Sequence, residues 1–199
     1  MGCGKMGKIF YVMGKSSSGK DTIFKKLQEY LPELKTIVLY TTRPIREGEK
    51  DGVEYYFVGE KELEAFQREG KIIELRSYDT VHGKWNYFTA ADDQIKLEID
   101  SYIVIGTLVS YEKMREYFGE ENLVPIYIEV EDGERLFRAL ERERRQENPK
   151  YAELCRRFLA DTEDFSEKNL EKQGIDRRFY NENVENCVDE IVLYIKGKL

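Results

Sequence analysis

In the stretch YVMGKSSSGKDT, residues 11–22, two glycines and a lysine stand at the spacing Gly14-x-x-x-x-Gly19-Lys20. Small residues at this spacing let successive backbone N–H groups turn toward one point, and the lysine adds a charge that can reach a terminal phosphate. Lys15, Ser16, Ser17 and Ser18 would form the turn, with Asp21 and Thr22 opening the helix behind it. Such a loop ordinarily ends in lysine followed by serine or threonine, so Asp21 is a departure. Its carboxylate is a hard oxygen ligand that can hold magnesium directly or through water, and Thr22 offers a hydroxyl one residue later. The plain alternative is a glycine turn before a helix, with Asp21 as its N-cap.

Two further groups of charge invite phosphate. In TTRPIREGEKDGVEYYF, residues 41–57, Pro44 disfavours helix at residue 43, so Arg43 and Arg46 lie on an extended or turning segment. Both guanidinium forks can there converge on one phosphate, and Tyr55 can add a neutral donor. Arg138, Arg142, Arg144, Arg145, Arg156 and Arg157 fall on two charged helical segments within 132–173 that meet at Asn148-Pro149. Most of these six read as a solvated face stitched by i,i+4 pairs such as Glu141 with Arg145. His82, the only histidine, has no serine or cysteine partner that the sequence can place and is assigned no catalysis. Trp85 and the neighbouring tyrosines read as packing.

The elements that must position these residues alternate short apolar runs with amphipathic stretches, the pattern of a parallel sheet covered by helices. Residues 9–13 read as a strand entering the glycine loop, and 21–30 as a helix with Ile23, Phe24 and Leu27 on one face, stopped by Pro32. Further strands are expected at 36–40, 102–106 and 124–130, with helices at 111–118 and 184–196. From 43 to about 90 the texture turns aromatic and glycine-punctuated around one helix-like piece, EKELEAFQREG, and reads as an inserted β-rich lobe.

A chain of 199 residues makes one domain with a real core, and 41% hydrophobic, 36% charged and 13% aromatic residues are those of a globular protein. The formal net charge of -7 argues against general affinity for nucleic acid or anionic membrane. No apolar run has the length of a membrane span or of a signal sequence. Gly2 and Cys3 imitate an acylation signal, but Met6 stands where serine or threonine is required, so an unstructured start is expected. Cys3, Cys155 and Cys187 are odd in number and share no C-x-x-C spacing, which supports neither a disulfide framework nor a zinc site and fits a reducing cytoplasm. Cys155 and Cys187 fall on helical patterns as small apolar residues.

The string from Thr41 to Phe57 closely resembles the monophosphate-binding signature of the guanylate kinase family. That resemblance implies a three-layer P-loop NTPase fold, with core 7–40, 100–131 and 176–199, a nucleoside-monophosphate-binding lobe at 41–99 and a helical lid at 132–175. It implies transfer of the γ-phosphoryl of Mg·ATP to GMP by a cytoplasmic monomer or homodimer. Gly14 to Lys20, with Asp21 and Thr22, resemble the ATP site, and Asn181 resembles a residue near the adenine. Arg43, Arg46 and Tyr55 resemble the acceptor-phosphate site, and Glu74 the carboxylate that reads guanine, whose N1–H and exocyclic amine are adjacent donors. Tyr87 and Thr89 are the expected partners in that pocket, with Tyr78 and Thr80 the competing register. Arg142 or Arg145 on the first lid segment and Arg157 on the second would join Lys20 in catalysis. Departures lie at Leu39 or Tyr40, where the family carries serine, and at Thr107, which stands in the base pocket in place of an acid. They leave room for another nucleotide or a sugar phosphate as acceptor, or for a non-catalytic binding module.

Overall fold

The computed structural model describes residues 6–80 and 83–199, so Gly2, Cys3 and His82 lie outside them. In chain order the strands are β1 (Ile9–Met13), β2 (Lys35–Thr36), β3 (Tyr40–Thr41), β4 (Tyr56–Phe57), β5 (Ile72–Thr80), β6 (Gly83–Ala90), β7 (Tyr102–Ile105), β8 (Leu123–Glu129) and β9 (Arg178–Tyr180). The helices are α1 (Lys20–Tyr30), α2 (Glu60–Arg68), α3 (Leu108–Phe118), α4 (Asp132–Arg144), α5 (Tyr151–Asp164), α6 (Glu167–Lys172) and α7 (Val184–Lys196).

Strand β1 is apolar throughout and buried at every position, as a strand covered on both faces must be. It occupies the centre of a five-stranded sheet of order β2-β7-β1-β8-β9, in which every pairing is parallel. Alternation along the strand sends Phe10 and Val12 to one face, against Ile23 and Leu27 of α1 and Val188 and Ile191 of α7. Tyr11 and Met13 face the other way, against Tyr111 and Met114 of α3 and Leu170 of α6. Each fully buried aliphatic side chain contributes roughly 1.5–3 kcal/mol, so these two layers fix the sheet on which the rest is mounted. The strand order reverses at β1, and in open parallel sheets the crevice at the carboxyl ends beside such a reversal is where ligands sit.

The β-rich segment forms a second sheet of order β4-β3-β6-β5, with β5 and β6 antiparallel over most of their length. The apolar run 36–40, expected as one strand, divides between the two sheets. Lys35–Thr36 pairs with β7 and Ile37 still donates to Ile103 O, whereas Tyr40–Thr41 pairs with β4 and β6. Strand β9 was not expected, because three of the four residues RRFY are charged or polar; its register is held by Phe179, fully buried opposite Ile128.

Of the two charged helical segments expected in 132–173, the second breaks in two. Phe165, 5% exposed, stacks on Tyr127 with ring centroids 5.6 Å apart, and pulling it inward ends α5 before α6 begins. Helix α5 itself buries no residue, so Cys155 is exposed rather than packed. Cys187 is buried, and burial pushes its thiol up to about 11. No helix among the described residues is long and apolar enough to cross a membrane.

Candidate active site

The glycine loop leaves the carboxyl end of β1 and feeds α1, the strand, loop and helix context that phosphate binding requires. Two of its positions admit only glycine. A Cβ on Gly14 would stand 2.5 Å from the backbone oxygen of Ile128, and Gly19 has φ +81° with Asn181 Nδ2 2.5 Å from where a Cβ would lie. Ser17 also takes a positive φ, 65°, which tightens the turn. Asn181 is 2% exposed and donates from Nδ2 to Ser18 O at 2.8 Å, while its backbone N–H donates to Glu129 O. It therefore ties the loop to the end of β8. Ser18 Oγ and Asn181 Oδ1 are buried without a hydrogen-bond partner, two orphaned polar atoms at the loop. Lys20 Nζ lies 3.6 Å from Asp21 Oδ2, and the Asp21 side chain is 80% exposed at the start of α1.

In the bend that follows β3, Arg43 is nearly inaccessible. Its Nη1 and Nη2 donate to the two oxygens of Glu49 at 2.7 and 2.6 Å, and its guanidinium lies over Tyr55 and Phe57. Glu49 also accepts the Arg46 backbone N–H at 2.8 Å, so one carboxylate sets both arginines. The Arg43 guanidinium, with help from that N–H, outweighs partial burial and holds the Glu49 carboxyl at about 2, below its ordinary 4.5. A depressed folded value means the pair stabilises fully above about 4.5 and is lost as pH falls through 2. Glu49→Gln is accordingly expected to be less stable than the wild type at pH 7, with the difference closing between pH 4.5 and 2 in denaturant titrations. A difference that stayed constant down to pH 2 would rule out the ion pair as its origin.

Glu74 is 3% exposed and lies opposite Thr89 across β5 and β6, with Thr89 Oγ1 donating to its Oε1 at 2.9 Å. Tyr87 lies two residues away, opposite Arg76, edge-on to Tyr55 and Tyr78. Of the two registers, the structure brings Thr89 to Glu74 and sets Tyr87 opposite Arg76, whereas Tyr78 and Thr80 lie farther along β5. Arg76 Nε donates to Glu74 Oε2 at 2.9 Å and Nη2 to Oε1 at 3.2 Å, while Nη1 donates to Thr107 Oγ1 at 3.3 Å. Thr107 is at the same time the N-cap of α3, accepting from Ser110 N.

Helices α4 and α5 reach the loop through polar atoms. Arg142 Nη2 donates to Ser17 Oγ at 3.2 Å and Arg157 Nη2 to Ser16 Oγ at 3.3 Å. Arg145 follows the last turn of α4, is 81% exposed, and lies 3.8 Å from Glu141 without reaching the loop. Arg144 and Arg156 pair with Glu141 and Glu153 on the solvated face, and Arg138 pairs with Glu134. A cavity of about 380 Å³ lies between these parts, bringing Ser16, Ser17, Arg46, Arg142 and Arg157 together.

Four residues at this site carry no expectation from the sequence: Glu49, Arg76, Arg135 and Asp161. Arg135 is 1% exposed over the ring of Phe158 at 4.2 Å, and donates to Asp132 and to Ser16 O. Asp161 accepts the Ser16 backbone N–H at 2.7 Å, and Lys15 pairs with Asp132 at 3.2 Å. The spacing of Arg135 seven residues before Arg142 puts both on one helix face, a signal present in the sequence. Glu74 and Arg76, two apart on a strand, likewise share a face.

A parallel sheet with a phosphate loop at the carboxyl end of its central strand defines the class as a P-loop NTPase fold. The guanylate kinase family model matches residues 6–96. The guanylate kinase of Legionella pneumophila (strain Lens) is 33% identical over 99 residues, 50% of this chain and 46% of that protein. The guanylate kinase of Symbiobacterium thermophilum is 37% identical over 99 residues, 47% of each. The crystal structure of guanylate kinase from Anaplasma phagocytophilum superposes with a TM-score of 0.63 at 25% identity, over 97% of this chain and 86% of that one. The chain is thus similar in sequence to guanylate kinases over its first half, and similar in fold to one of them over nearly its whole length. The sequence match spans about half the length of the curated relatives, and the structural match takes in nearly all of this chain.

Proposed function

We propose that this protein transfers the γ-phosphoryl group of Mg·ATP to GMP, giving ADP and GDP. The observation that carries this reading is the cavity in which the loop serines meet Arg46 of the acceptor lobe and Arg142 and Arg157 of the lid. An acceptor phosphate oxygen is itself the nucleophile in such a transfer, so what the protein must supply is alignment and positive charge rather than a general base. Loop N–H groups and Lys20 would hold the ATP phosphates, while Arg46, with Arg43 and Tyr55 behind it, would hold the acceptor phosphate. Arg142 and Arg157 would face the group in flight, and the lid above them would keep out the water that could otherwise accept it.

The residues at the loop fit magnesium. Asp21 presents an exposed carboxylate and Thr22 a hydroxyl at the start of α1, both hard oxygen donors. Among the described residues no three His, Cys, Asp or Glu gather into a cage, which suits an ion carried in by nucleotide phosphates and held by one or two protein oxygens. Magnesium bound there would neutralise charge on the β- and γ-phosphate oxygens. The same reading makes this a cytoplasmic monomer or homodimer whose partners are ATP and GMP.

A second reading, the same chemistry on another nucleotide or a sugar phosphate, is favoured by Thr107 in the base pocket and by the occupation of Glu74 by Arg76. ADP formation with Mg·ATP and each of GMP, dGMP, AMP, CMP, UMP and dTMP separates the two. Selective turnover of GMP and dGMP is expected. Turnover confined to other acceptors, or to phosphorylated sugars tested next, would replace the first reading by the second.

A further inference from the structure

We propose that Arg76 sets the acceptor specificity of this site by occupying, from within the chain, the place on Glu74 that a guanine base would take. The inference rests on the reading of Glu74 as the base-binding carboxylate. A guanidinium presents Nε–H and one Nη–H as two parallel donors in a plane, and guanine presents N1–H and its exocyclic amine in the same arrangement. Arg76 uses that pair on both Glu74 oxygens, at 2.9 and 3.2 Å, and Thr89 takes a further position on Oε1 at 2.9 Å. Glu74 is 1% exposed as a side chain and Arg76 15%, so the pair is formed away from bulk water, where exchanging one bidentate partner for another is a direct competition. Thr107 Oγ1 holds the guanidinium from the other side. An acid at position 107 would draw Arg76 away from Glu74; the neutral threonine does not.

Guanine must therefore displace Arg76 to gain its hydrogen bonds, and the exchange leaves little net advantage to a base that carries the exocyclic amine. A free carboxylate would reject a base lacking that amine, whereas one already satisfied discriminates weakly. The pocket is thus expected to accept GMP and IMP, which differ by that amine, almost equally.

The test is the affinity for GMP and IMP, measured by calorimetry on the wild type, Arg76→Met and Arg76→Met with Glu74→Gln. Methionine keeps the apolar stem and removes the fork. In the wild type GMP and IMP are expected to bind within about threefold of each other; in Arg76→Met, GMP should tighten about tenfold or more and IMP much less. Adding Glu74→Gln should erase that gain, which a merely structural role for Arg76 would not produce. Affinity for ATP serves as the control and should not move. Unchanged or weaker GMP binding in Arg76→Met, or a GMP-to-IMP ratio that does not open, would overturn the proposal. If Arg76→Met does not fold, Arg76→Lys, a single charge without a fork, carries the same prediction at smaller size. Because the readout is binding, failure of phosphoryl transfer to GMP would count against the proposed activity and leave this result to stand or fall separately.

Discussion

Lys20→Met is expected to slow ADP formation severely, with kcat falling by about 10²–10³-fold while the thermal midpoint stays within a few degrees of the wild type. The lysine opens α1 with its side chain 21% exposed, partly withdrawn from water, 3.6 Å from the carboxylate of Asp21. In the proposed transfer, a charge in that position would act on the phosphoryl group as negative charge builds on its oxygens, in surroundings where an electrostatic contact is stronger than in bulk water. Methionine preserves the stem and the packing of α1 against β1, because Ile23, Phe24 and Leu27 carry that packing. Loss of turnover with an intact fold is therefore the outcome that identifies the loop as catalytic. Full activity in Lys20→Met would sink the proposed chemistry, whatever the acceptor.

The second large effect divides arginines that look alike in the sequence. Arg142→Ala and Arg157→Ala are each expected to lower kcat by about 10²-fold or more with a smaller change in KM, since each guanidinium reaches a loop serine and lines the cavity. Arg145→Ala should leave kcat within about twofold, because that side chain is 81% exposed and pairs only loosely with Glu141. Steady-state kinetics on the three variants decides it. Equal losses in all three would mean that the lid contributes general positive charge, and a loss confined to Arg145→Ala would reverse the assignment.

What the sequence disclosed depended on how local the signal was. The loop and β1 are legible because the glycine spacing, the apolar run and the helix behind it are contiguous, and each glycine has a steric reason visible once Ile128 and Asn181 are placed. The non-helical course of the chain at Arg43 was legible for the same reason, since Pro44 follows it directly. Glu49 was overlooked although it lies in the same string, because a carboxylate among arginines reads as solvated charge until both of its oxygens are seen to be engaged. Arg76 was illegible in a stronger sense. Its neighbour Glu74 is two residues away, but the contact with Thr107 joins β5 to α3 across 31 residues and only tertiary structure makes it. The run 36–40 misled for a different reason: burial keeps Ile37 and Leu39 apolar whether the strand continues or changes sheets, so hydrophobicity could not mark the break. Likewise the break after Asp164 follows from the stacking of Phe165 on Tyr127, a partner far away in the chain.

Helix α5, which buries none of its residues, has a consequence for how the protein answers its ionic surroundings. Its seat on the loop is made of Asp161 on the Ser16 N–H, Arg157 on Ser16 Oγ and Arg135 between Asp161 and Phe158. At an ionic strength of 0.15 M, charges more than about 8 Å apart scarcely feel one another, and exposed contacts are screened far more than buried ones. Added salt therefore loosens α5 through its exposed arginine while the inner contact of Arg135, 1% exposed, holds. The sheet beneath, secured by apolar burial, is unmoved by the same change. The seat of α5 thus combines an outer contact that salt screens with an inner one that it scarcely reaches, above a sheet that apolar burial holds at any ionic strength.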